Sequence, residues 1–146
     1  MFERILIPTD GSAFCQPALE HGLNLAKMTG GEVTLLFALD DLYEELGYGA
    51  ELKQETRDSY KVQSRLALAM LEERMRAEGV VAHSVVIEDY PVHAILEAAK
   101  NHDLVIMATH NRKGFERALH GSVTDKVVHN CSTPVLVVWG DAKAVN

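Results

Sequence analysis

From Thr109 to Val123 the sequence reads THNRKGFERALHGSV. Between His110 and His120 the fixed charges are Arg112, Lys113 and Arg117 against Glu116, in a chain whose formal net charge is -7. Positive charge is gathered in one loop of an acidic protein, where an anion would sit. The loop then turns at Gly121 into a helix start, with Ser122 as its cap and Asp125, three residues on, completing a capping box. A helix opened in this way leaves N–H groups and a partial positive charge at its first turn, which suits phosphate. The same cations would also fit a solvated loop that only keeps the surface soluble.

Other chemistry finds less support. The seven histidines include no pair at i, i+4 on a helix, and the two cysteines are not spaced as zinc ligands, so no metal site is expected. His110 and His120 flank the basic loop, either as phosphate contacts or as ordinary loop residues. Ser12 and Ser122 read first as caps. No G-x-S-x-G elbow is present and no nucleophile has an evident base, so the chain is expected not to be an enzyme.

Composition bounds the rest. With 146 residues, 47% of them hydrophobic, residues 1–146 are expected to form one domain around one core. No apolar run approaches the roughly 20 residues of a membrane span, and the N-terminal ILI is too short for a signal peptide. Together with only two cysteines, Cys15 and Cys131, this predicts a cytosolic protein whose cysteines are small buried residues on helices. The negative balance argues against binding nucleic acid or acidic membrane surfaces, so neither is expected as a partner.

The elements that must position the loop follow from hydrophobic periodicity. Phe2 to Ile7 predicts a strand that stops at Pro8, where Asp10-Gly11-Ser12 supplies a turn and a cap. Ala18, Leu19, Gly22, Leu23, Leu25 and Ala26 continue as a helix, irregular in its first turn near Pro17 and closed by Thr29-Gly30-Gly31. Val33 to Leu39 is a nearly continuous apolar run, as in a parallel strand buried on both faces. The acidic Asp40 to Tyr48 reads as an adaptable surface segment. Leu52 to Ala77 predicts a helix with Val62, Leu66, Met70 and Met75 on its apolar side. His83 to Ile87, Leu104 to Met107 and Pro134 to Val138 are the remaining strands, with helices from Pro91 and from Gly121-Ser122 between them. Strands and helices that alternate in this way predict a doubly wound α/β fold with a five-stranded parallel sheet. Ligands of such sheets bind beyond the carboxyl ends of the strands where strand order reverses, which makes Pro8 to Ser12 and Thr109 to Ser122 the candidate loops.

PTDGS after the first strand, DLVIMATH, then R-K-G, G-S-V and C-S-T-P-V-L-V-V together resemble the universal stress protein family over the whole chain. The resemblance implies a Rossmann-like three-layer sandwich of the adenine nucleotide alpha hydrolase type, with strand order 3-2-1-4-5. It also implies a homodimer in which the final strand, Pro134 to Val138, pairs with its counterpart. That pairing would remove an otherwise exposed, uncharged edge, for which the tail from Gly140 to Asn146 is the alternative cover. ATP-binding members carry G-x-x-G, nine residues, then G-[ST]. Here Ala108 and Asn111 stand at the first two glycine positions and Gly121-Ser122 is intact. Asn111 tolerates left-handed backbone, and Ala108 adds one methyl beside the ribose position.

By this resemblance Asp10 faces adenine or ribose, Ala38 meets the base through its backbone, and Ser122 and Val123 offer N–H groups to phosphate. Pro8, Thr9, Ala108, His110, Asn111, Arg112 and Gly121 complete the candidate contacts. The implied ligand is ATP or AMP, with Mg2+ only alongside the nucleotide. The expected function is a cytosolic stress-response module that binds adenine nucleotide and signals through a homodimer. One alternative is a nucleotide-independent stress dimer. Another is slow ATP hydrolysis or autophosphorylation on Ser122 or Thr124.

Overall fold

Ile5, Leu6 and Ile7 expose no surface, which three successive strand residues achieve only when both faces of the strand are covered. They form the middle of β1 (Arg4–Pro8). The computed structural model describes residues 1–39, 50–109 and 123–140. After β1 come a 3-10 turn (Ala13–Cys15), α1 (Gln16–Thr29), β2 (Glu32–Ala38), α2 (Ala50–Ala77) and β3 (Val81–Ile87). The chain continues with α3 (Pro91–Ala99), β4 (Leu104–Thr109), α4 (Val123–Asn130) and β5 (Val135–Trp139). The five strands pair in parallel in the order β3-β2-β1-β4-β5, so the fold is the expected doubly wound α/β sheet. The order reverses at β1, which has β2 on one side and β4 on the other.

Alternation along the strands divides the core in two. Ile5, Ile7, Val33, Leu35, Leu104 and Ile106 face α1 and α2, where Leu19, Leu23, Leu68 and Met75 meet them. Leu6, Leu36, Val105 and Met107 face α3 and α4, against Ala94, Ile95, Ala99 and Val127. Gly22 lets α1 lie close to the sheet, because a Cβ there would stand 2.2 Å from Ile7 Cδ1. Gly30, in left-handed conformation at φ 72, ends α1 with its N–H on the Ala26 carbonyl.

Several expected boundaries move. β1 starts at Arg4, leaves Phe2 outside at φ 58, and runs through Pro8 instead of stopping before it. Pro8 stays in register with Leu36, and the next N–H, of Thr9, donates to the Leu36 carbonyl at 2.8 Å, so one missing donor does not end a parallel ladder. Ser12 makes no side-chain cap bond, and the chain enters α1 through the 3-10 turn. β3 begins at Val81, β4 continues to Thr109, and β5 covers Val135–Trp139 in place of Pro134 to Val138. Cys15 is buried in the 3-10 turn, whereas Cys131 is half-buried just beyond α4.

The apolar side assigned to α2 is also corrected. Val62, Leu66 and Met70 are 57%, 62% and 75% exposed, and the face on the sheet carries Leu68, Leu71 and Met75. Further along that face Arg57 and Lys61 keep their stems partly covered while their charges reach Glu88. The helix thus has two apolar lanes on opposite sides, and periodicity alone does not choose between them. Among the described residues no helix is long and apolar enough to cross a membrane.

Candidate functional site

β1, β2 and β4 end side by side where the strand order reverses, and a cleft of about 450 Å³ opens there. That volume falls in the roughly 300–1,000 Å³ range of small-ligand sites. Strand ends supply Pro8, Leu36 to Ala38, and Met107 to Thr109. Pro91 and Ile95 of α3 add an apolar wall, Phe14 and Cys15 of the 3-10 turn another, and Val123 and Thr124 the first turn of α4. Of the expected contacts, Pro8, Thr9, Asp10, Ala38, Ala108 and Val123 are brought together here. His110, Asn111, Arg112, Gly121 and Ser122 lie outside the described residues, as do the basic loop and the Ser122 half of the capping box.

Asp10 is the one charged side chain among the described residues of the cleft. Its Oδ1 accepts the Ser12 N–H at 2.8 Å and the Cys15 thiol at 3.4 Å, while Thr9 Oγ1 accepts the Gly11 N–H at 3.1 Å. Desolvation pushes the Asp10 carboxyl up, but the hydrogen bonds from Ser12 and Cys15 outweigh it and hold the group below the usual Asp range. Asp10 is therefore an acceptor at neutral pH, suited to a hydroxyl or amino group. Burial pushes the Cys15 thiol up, so it stays protonated and able to donate.

On the opposite wall Thr124 Oγ1 donates to the Ala108 carbonyl at 3.1 Å, tying the start of α4 to the end of β4. The first turn of α4 thus presents its partial positive charge beside Ala108. Gly140 donates its N–H to the Thr109 carbonyl at 2.7 Å and packs against two lining residues, Phe14 and Ala108. No group of three or more His, Cys, Asp or Glu side chains is assembled for a metal among the described residues.

Sequence reasoning missed Phe14, Cys15, Leu36, Phe37, Pro91, Ile95, Met107 and the wall position of Thr124. Their only signal is topological: parallel crossovers bring the end of every strand and the start of every following helix to one side of the sheet.

The start of α3 is held by Asp89, whose Oδ1 accepts the Tyr90 N–H at 2.8 Å and whose Oδ2 meets His93 Nδ1. The His93 bond holds the Asp89 carboxyl low, and Asp89 in turn raises His93. The His93 contribution is complete below the ordinary histidine value of 6.5 and fades as pH rises through the raised value. That of Asp89 is present above 3.8 and is lost as pH falls through the lowered value. The ion pair therefore holds between those limits. NMR titration should place the His93 pKa above 6.5 and return it toward 6.5 in Asp89→Asn.

With this geometry in place, the model of the universal stress protein family matches residues 1–138. The chain belongs to the universal stress protein family. It is 35% identical over 141 residues to the universal stress protein MJ0531 of Methanocaldococcus jannaschii, covering 94% of this chain and 82% of that one. Among solved structures it superposes on MJ0577 with a TM-score of 0.83 at 25% identity, covering 97% and 99% of the two chains. MJ0577 is a universal stress protein of the same organism. Two further solved members share the fold at lower identity. One is in complex with cAMP, with a TM-score of 0.70 at 20% identity and coverage of 95% and 98%. The other, from Archaeoglobus fulgidus, is in complex with dAMP, with a TM-score of 0.67 at 18% identity and coverage of 94% and 98%.

Proposed function

We propose that this universal stress protein binds an adenine nucleotide, ATP or AMP, in the cleft at the tips of β1 and β4, and does so without turning it over. The observation that carries the reading is the assembly of one apolar slot, one ionised carboxylate and one helix start in a single cleft. Leu36, Phe37, Ile95 and Met107 offer a base a flat apolar berth, and the backbone of Ala38 lies at its edge. Asp10 accepts from ribose hydroxyls or the amino group, and phosphate is directed to the start of α4. The fold mates solved with cAMP and dAMP support an adenine ligand.

The same reading includes a homodimer. β5 is an edge strand with Leu136 39% and Trp139 47% exposed, an apolar edge that pairing with a second copy would cover. A binding module is favoured over an enzyme because burial keeps the one thiol of the cleft's described residues, Cys15, protonated and so a poor nucleophile. The Thr124 hydroxyl, a conceivable phosphate acceptor, is engaged by the Ala108 carbonyl.

The test starts from protein purified without added nucleotide. The supernatant after denaturation should contain adenine by ultraviolet absorbance, or the protein should take up ATP on incubation with magnesium, without ADP accumulating over time. Light scattering should give twice the monomer mass. Steady ADP release would replace this reading with slow hydrolysis. A dimer that takes up no adenine nucleotide would favour the nucleotide-independent module.

A further inference from the structure

We infer that Cys15 is a positioning residue of the cleft, whose thiol fixes the Asp10 carboxylate in the orientation that meets a hydroxyl or amino group of the ligand. The inference rests on the nucleotide reading above and adds to it a residue outside the expected contacts.

Asp10 sits on an exposed turn, where a carboxylate held by one hydrogen bond is free to swing about its terminal torsion. Here Oδ1 takes two donors from different directions, the Ser12 N–H and the Cys15 thiol, and the Ser12 side chain adds a further hydrogen bond to the carboxylate. The two donors are themselves fixed. Cys15 is buried at the entry to α1, and its own N–H donates to the Ser12 carbonyl at 3.1 Å. The turn from Asp10 to Cys15 is therefore a closed unit in which the side chain of its first residue is clamped by its last. Cys15 also lines the cleft, so its thiol lies at the junction of protein interior and ligand space. A thiol kept protonated by burial is a donor and a poor nucleophile, which directs its role to orientation.

The test is a double-mutant cycle read by calorimetric titration with AMP, on the full chain. Cys15→Ala should weaken AMP binding by about threefold to tenfold, the range for losing one ordinary hydrogen bond, since a thiol is a weak donor. Cys15→Ser, which restores a donor in less volume, should recover most of the affinity. Cys15→Val, which fills the volume without a donor, should not. In an Asp10→Ala background Cys15→Ala should cost nothing further. The reverse ranking, with valine restoring binding and serine failing, would show that Cys15 only packs the wall and would overturn the inference. An equal loss from Cys15→Ala with and without Asp10 would overturn it too, and both results leave nucleotide binding standing. A wild-type chain that takes up no AMP, ADP or ATP would remove the nucleotide reading and this inference together.

Discussion

Ile106→Ala should destabilise the protein by about 2–5 kcal/mol, the range for emptying a buried aliphatic site that does not collapse. Ile106 exposes no surface, lies on β4 between β1 and β5, and faces α1. Its Cδ1 would stand 3.7 Å from a Cβ at Gly22, so the helix residue above it has no side chain with which to fill the gap. Urea unfolding should show a lower midpoint with the slope unchanged. On α2, Leu68→Ala should cost a similar amount, and Leu66→Ala should stay within about 0.5 kcal/mol because Leu66 is mostly in water. Equal losses at Leu66 and Leu68 would contradict the orientation of α2 described above.

Gly140→Ala should strike fold and cleft together. A Cβ at Gly140 would lie 2.5 Å from the Phe14 carbonyl oxygen, 2.8 Å from the Phe14 ring and 3.0 Å from the Ala108 Cβ. A carbonyl cannot rotate away as a side chain does, so the Ala13–Cys15 turn must shift. Overpacking of this kind costs about 1–3 kcal/mol. Because Phe14, Cys15 and Ala108 all line the cleft, AMP affinity should fall along with stability. Gly30→Ala is the control. It meets nothing within 4 Å but carries φ 72, so it should lose about 1 kcal/mol of stability through backbone strain and leave AMP binding unchanged. Gly140→Ala with wild-type affinity would separate the end of β5 from the cleft.

The alternation of buried strands and helices was legible because runs such as Ile5 to Ile7 and Val33 to Leu36 must be covered on both faces, and short parallel strands require crossovers. Strand order was not written in periodicity and came from the family resemblance. Pro8 misled because the loss of one N–H is local, whereas Thr9 resumes the ladder one residue later. α2 misled because Val62, Leu66 and Met70 recur as regularly as Leu68, Leu71 and Met75, and only the neighbouring sheet chooses between the two lanes. For the cleft, the turn after β1 and the helix start after β4 were readable from loop composition, while their meeting at one site followed from the topology and their contacts from the family resemblance. Phe14, Cys15, Pro91 and Ile95 were not, since they belong to elements that meet only after β1 is flanked by β2 and β4.

The central claim is that the tips of β1 and β4 hold an adenine nucleotide, and thermal unfolding under increasing AMP tests it most directly. A ligand that binds only the folded chain raises its stability by about 2.7 kcal/mol at a hundredfold excess over the dissociation constant. The midpoint should climb steadily with AMP, and less steeply in Asp10→Ala. A midpoint unmoved by millimolar AMP and by millimolar ATP with magnesium would contradict it.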